Sequence, residues 1–298
     1  MLTGIAHLEM HVLDLAACRT LYGAELGLKE LAYGVGPHGN RISMFASGDS
    51  VLELHEDANA VTSLLPSGER KDPMDVPGSV GHFSFYTQDN HEAFRALKKT
   101  MVSNPLTTSD GPSVQPMDHA YMQRSLLQFN DPSGYILQIS DLVDPREHLK
   151  ERLEKKRAWA AASGPGLLQG FDHVQIICTN VSAERDFFGL KLGLEELSHR
   201  TETVPAVEGF EESVFAAGMT DLELTQSEST RGWSLGPGAI SALGFWTDDV
   251  AQAYGELTQR GVAVGDPPSV CAPLPGMSRR AFVFAGLDGL RLEIAQRI

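Results

Sequence analysis

The chain has 298 residues, more than one domain usually holds, so its length points to two domains. Its 39 acidic against 24 basic residues give a formal charge of −15, which disfavours binding to nucleic acid or to an anionic membrane, since both need a basic footprint. No apolar run approaches the ~20 residues of a membrane span, and the opening "MLTGIAHLEM" lacks the basic start and long apolar stretch of a signal peptide.

The segment "GIAHLEMHV" (4–12) reads as a strand, apolar at alternate places, with His7, Glu9 and His11 on one face. A helix containing an aromatic follows, closed by Leu-Gly-Leu. "ASGDSVLELHE" (46–56) reads as a hairpin turn and a strand that puts Glu53 and His55 on one side. "VGHFSFYTQDNHEAFRALKKTM" (80–101) offers a strand carrying His82 and then a helix begun at an acidic cap. "LLQFNDPSGYILQIS" (126–140) is a hairpin whose last strand carries Gln138. "DLVDPREHLKERLEKKRAWAAASGPG" (141–166) reads as a helix capped by Asp144, with Pro145 at its first position. It is expected to lie on the surface, its charge run forming a solvated face.

The second half repeats the first. "GFDHVQIICTNVSAERDFFGLKLGLEEL" from Gly170 matches "GIAHLEMHVLDLAACRTLYGAELGLKEL" from Gly4. "AAGMTDLELTQ" (216–226) matches 46–56 and puts Glu223 over Glu53. "ISALGFWTDDVAQAYGELTQRG" (240–261) matches 80–101, with Ala242 over His82. "AFVFAGLDGLRLEIA" (281–295) matches 126–140, with Glu293 over Gln138. The fold expected is α+β: four tandem βαβββ modules forming two cupped mixed-sheet domains, residues 1–143 and 167–298, joined by a helical connector over 144–166. The three cysteines, Cys18, Cys178 and Cys271, stand in unrelated contexts and suggest inert thiols of a reducing compartment, so a cytoplasmic location is expected. No phosphate loop, Cys-x-x-Cys pair or nucleophile elbow appears.

The pieces "GIAHLEMHVLDL", "VLEL", "VGHFSF" and "DPSGYILQ" resemble the vicinal oxygen chelate superfamily of glyoxalases, extradiol dioxygenases, epimerases, fosfomycin-resistance enzymes and bleomycin-binding proteins. The likeness covers nearly the whole chain. It implies paired modules that form an open cup, with metal ligands on the first and last strands of each module. Carried onto this sequence, it makes His7, Glu53, His82 and Gln138 a four-residue metal set in the first half. Two imidazoles, a carboxylate and an amide oxygen suit one divalent ion, Fe²⁺, Mn²⁺, Ni²⁺ or Zn²⁺. The second half offers His173, Glu223, Ala242 and Glu293. A methyl group replaces one imidazole there, so that half is expected to be a scaffold or a dimerisation half, and a homo-oligomer is allowed.

Some fused members instead pair the first module with the fourth and the second with the third, which would assemble His82, Gln138, His173 and Glu223. The long connector favours pairing within halves. His11 and His55 fall near the rim as substrate contacts, against the plainer reading of a solvated rim. His119 stands in "HAYMQRSLLQFNDPSGYILQ" (119–138), which keeps part of an extradiol-dioxygenase signature but has Gln128 and Gln138 where a Tyr and a Glu would stand.

The reaction expected is metal-dependent. A small substrate is chelated through vicinal oxygens, and a redox-neutral lyase or isomerase step moves a proton, with Glu53 as base and His119 as a helper. Ring cleavage by Fe²⁺ and O₂, and a non-catalytic drug- or metabolite-binding protein, are the alternatives.

Overall fold

A computed structural model describes residues 2–57, 80–102, 105–106, 110–114, 122–144, 146–163, 166–201, 210–226 and 240–298. Module one runs β1 (Leu2–Val12), α1 (Leu15–Arg19), β2 (Glu30–Val35), β3 (Arg41–Ser47) and β4 (Ser50–Glu56). Module two runs β5 (Val80–Tyr86), α2 (Asn90–Thr100), β6 (Ser113–Val114), β7 (Arg124–Asn130) and β8 (Ile136–Leu142). The connector is α3 (Lys150–Ala162). Module three runs β9 (Phe171–Ile177), α4 (Val181–Arg185), β10 (Glu195–Arg200), β11 (Glu211–Ala217) and β12 (Thr220–Gln226). Module four runs β13 (Ile240–Thr247), α5 (Val250–Gln259), β14 (Ser269–Cys271), β15 (Arg279–Ala285) and β16 (Arg291–Arg297).

The four module helices start for one shared reason. Asp14, Asp89, Asn180 and Asp249 sit in extended backbone, and each side chain accepts a hydrogen bond from the amide three residues on. In modules one and three the helix widens into a π turn, Thr20–Glu25 and Asp186–Lys191, where Leu26 N donates to Leu21 O and Leu192 N to Phe187 O. The Leu-Gly-Leu that follows ends the helix. Gly27 and Gly193 have φ near +75° (75° and 76°), which a side chain would resist.

The chain forms two eight-stranded mixed sheets. The outer sheet has the order β14-β15-β16-β13-β1-β4-β3-β2 and joins modules one and four. The inner sheet has the order β10-β11-β12-β9-β5-β8-β7-β6 and joins modules two and three. The seams are antiparallel, with Leu8 opposite Leu243 in the outer sheet and Phe83 opposite Val174 in the inner. Pairing within halves is therefore corrected: neither 1–143 nor 167–298 contains a complete sheet. The expected modules are present, but each domain is built from both halves.

One face of each sheet is apolar and packs on the module helices. Leu8, Leu52, Phe83, Phe85, Val174, Leu222 and Leu243 join there in one cluster with Leu21, Leu97, Phe188 and Leu257. The other face is polar. The connector helix lies on the surface as expected, with Glu151, Glu154, Lys155 and Arg157 exposed, and one stripe of it is buried. Leu149, Leu153 and Ala160 pack with Tyr86, Leu142 and Val214 on the polar face of the inner sheet, near one end. Each buried leucine contributes roughly 1.5–3 kcal/mol. The helix begins at Lys150 after a 3₁₀ turn, Glu147–Leu149, so Asp144 is not its cap. Asp144 instead accepts from the amides of Gln123 (2.7 Å) and Arg146 (2.8 Å). Pro145 lies outside the described residues.

Candidate metal centre

On the inner sheet, β8, β5, β9 and β12 are consecutive neighbours. Ser84 pairs with Gln138 on one side and with His173 on the other, while Gln175, two residues beyond His173, lies opposite His82 and beside Glu223. The period of two along each strand then turns His82, Gln138, His173 and Glu223 to the same polar face. His82 Nε2 lies 2.9 Å from His173 Nε2, with the two rings nearly perpendicular at 88°. His82, His173 and Glu223 offer ligand atoms that all lie within 4.8 Å of one another. Gln138 Oε1 is buried and has no hydrogen-bond partner.

The His173 ring is held from behind. Its Nδ1 donates to Asp172 Oδ2 at 2.9 Å, which leaves Nε2 with a lone pair toward His82. Asp172 is brought there by a bulge. Ser84 pairs with His173 and Phe85 with Phe171, so Asp172 has no partner across the seam. Asp172 also accepts from Arg124 Nε and Ser140 Oγ, both at 2.8 Å, and is ion-paired to Lys156 of the connector helix. Arg124 reaches two further carboxylates at 2.9 Å, Asp221 and Glu223. Arg152 and Lys156 complete the ring of charges around Asp221. Lys156, Asp172 and Asp221 are fully buried, at 0% exposure.

Electrostatics follow from this packing. Burial works to raise the pKa of Asp172, but Lys156, Arg124 and His173 outweigh it and hold the carboxyl well below its ordinary value. Burial, with the neighbouring His173 and Arg124, keeps His82 well below the ordinary histidine value. His82 is thus a neutral imidazole, the form that binds metal.

The outer cup differs. Arg279, the first residue of β15 as Arg124 is of β7, inserts its guanidinium among the expected ligands. Its Nη1 donates to Glu53 at 2.6 Å and its Nε to Glu293 at 2.5 Å, with Nη2 3.5 Å from His7. Ala242 supplies no ligand. The His7 ring lies so close over Gly244 that a Cβ there would meet it at 2.2 Å. A protein cation fills this cup where a metal would otherwise sit. Burial opposes ionisation of Glu53, but His7 and Arg279 work against it, and its carboxyl comes down to about 2.

The model of the Glyoxalase/Bleomycin resistance protein/Dioxygenase superfamily matches residues 4–139 and 170–294. The chain belongs to this superfamily. Solved members share its architecture. Glyoxalase I from Zea mays is 18% identical, with a TM-score of 0.65, covering 98% of this chain and 92% of that one. A putative dioxygenase from Bacillus subtilis subsp. subtilis str. 168 is 16% identical, with a TM-score of 0.62, covering 99% of this chain and 85% of that one. At such identities the likeness shows the fold alone. A search of curated proteins found no match.

Within this superfamily fold, the four ligands expected in the first half are separated. His7 and Glu53 stand on the outer sheet, His82 and Gln138 on the inner. The inner cup instead unites His82 and Gln138 with His173 and Glu223 from the half expected to be a scaffold. His11 and His55 stack at the outer cup, with ring centroids 5.9 Å apart and planes 6° apart, and line its cavity. His119 lies outside the described residues. Asp172, Arg124 and Lys156 were not anticipated. The Asp-His pair at 172–173 was the available signal for the first of them.

Proposed function

We propose that this chain is a divalent-metal enzyme that holds a small substrate through two vicinal oxygens and moves a proton, with the ion bound by His82, Gln138, His173 and Glu223. One observation carries the reading: two imidazole nitrogens meet at 2.9 Å beside Glu223. The donor set also fits a cation because Gln138 Oε1 is buried with no other partner. A bound divalent ion would supply Lewis acidity to the substrate oxygens. The chain's own residues supply the rest. Asp172 fixes the His173 tautomer, and Arg124, 2.9 Å from Glu223, orients that carboxylate. Glu223 is the one carboxylate in the set and takes the role of proton acceptor. Glu53 stands on the outer sheet, away from this set. Charge favours a small-molecule partner over nucleic acid, and among the described residues no helix is long and apolar enough to cross a membrane.

A second reading has a specific support. Two histidines and one carboxylate form the triad used by non-haem iron oxygenases. Purified protein incubated with 2-hydroxyketones in deuterated buffer without O₂, and separately with catechols in aerated buffer, separates the two. Deuterium uptake beside the carbonyl, lost in His173→Ala and kept in His7→Ala, is the expected result. Consumption of O₂ with catechols and no such uptake would transfer the assignment to the dioxygenase. Protein that takes up no metal would leave only a binding role.

A further inference from the structure

The outer cup opens into a cavity of about 500 Å³. We propose that its mouth is a second divalent-cation site, formed by Glu9, Glu53 and His55. This site shares Glu53 with the Arg279 contact, and it does not rest on the inner-cup reading.

Strands β1 and β4 are parallel neighbours that set Glu9 opposite Glu53 and His11 opposite His55. Glu9, Glu53 and His55 offer ligand atoms that all lie within 4.8 Å of one another. Glu53 is fully buried, at 0% exposure, and divides its two oxygens. Oε1 accepts from Arg279, while Oε2 is buried without a hydrogen-bond partner, and the residue lines the cavity. His55 Nε2 is likewise buried and without one. These two atoms stand 3.7 Å apart, too far for a hydrogen bond. An ion about 2.0–2.2 Å from each would bridge that gap.

Asn40 supports the same assignment. Its Nδ2 lies 3.2 Å from His55 Nδ1, and its Oδ1 is buried with no partner. A half-turn of the amide lets Oδ1 accept from Nδ1–H. His55 Nε2 then carries the lone pair and points at Glu53 Oε2. This is how a ligating histidine is oriented from behind.

Charge agrees. The cavity wall carries five carboxylates against two guanidinium groups, of which Arg279 serves Glu53 and Glu293 and Arg291 stands 3.5 Å from Glu9. The imidazole selects a borderline ion such as Zn²⁺ or Mn²⁺ over a purely oxygen-seeking one.

Titration of the metal-free full chain with Zn²⁺, followed by calorimetry and metal analysis, tests this. Glu9→Gln/His55→Gln is expected to lose one bound equivalent, and that equivalent is retained in His173→Ala. Asn40→Ala is expected to weaken the same site about 10–100-fold. Melting curves check that each variant is folded. If the Glu9/His55 variant binds as much Zn²⁺ as the parent, with unchanged affinity, the site is not there. Loss of metal in His173→Ala alone overturns this proposal while sparing the inner-cup reading, and the converse spares this one.

Discussion

Asp172 accepts from His173, Arg124 and Ser140 and is ion-paired to Lys156, all within a region closed to water. Asp172→Asn keeps the shape but removes the charge that compensates two buried cations. The expected cost is about 3–5 kcal/mol in denaturant unfolding, because the cations stay buried. Metal affinity of the inner cup is expected to fall about 10–100-fold, since His173 loses its orienting carboxylate. Unchanged stability and affinity would mean the contact has no such role. Strict alternation places Asp172 on the face opposite His173. The bulge cancels that alternation at one residue, and the adjacent Asp-His pair is its only trace in the sequence. The equivalent bulged position in the outer sheet, between Ile5 and His7, is Ala6, which has no carboxylate to offer.

Among the elements, the connector helix lies on the surface as its sequence reads, but the stripe it buries holds a lysine. Leu149, Leu153, Lys156 and Ala160 recur at helical spacing and form its buried stripe. The leucines were legible as an apolar seam. Lys156 was not, because a lysine inside a charge run reads as solvated until its partners, Asp172 and Asp221, are known. The caps at Asp89 and Asp249 were legible because they depend only on residues three apart. Helix α4 offers a test of pH coupling. Burial, with Asp288 nearby, pushes the Glu184 carboxyl up to about 8. The unfolded carboxyl titrates near 4.5, so between about 4.5 and about 8 the native state binds the extra proton. This residue therefore makes stability fall as pH rises through that window, by at most ~1.4 kcal/mol per pH unit. Glu184→Gln is expected to flatten this part of the stability profile from pH 5 to 8. A parallel profile in the variant would show that Glu184 is ionised in the fold.

At the scale of the whole molecule, the four-module repeat was readable because each module carries its own strand alternation, caps and turns. The pairing of modules was not. Every opening strand has a similar apolar seam face, so the residue pattern does not choose between the pairings. What separates them is long-range: the connector helix seats Lys156 and Leu153 on the polar face of the inner sheet, and Arg279 occupies the outer cup. The repeat thus yields two cups that each hold a guanidinium against a carboxylate, but only in the inner one do two imidazoles face each other. The same pairing explains why candidate ligands from a single half were right in kind but divided between sites.

Anomalous scattering from crystals grown with Zn²⁺ tests the assignment of the inner cup most directly. A peak at the zinc edge about 2.0–2.1 Å from both His82 Nε2 and His173 Nε2 is the predicted result. Crystals in which those two nitrogens share no peak, with zinc bound instead by His7 and Glu53 after Arg279 has moved away, would contradict it.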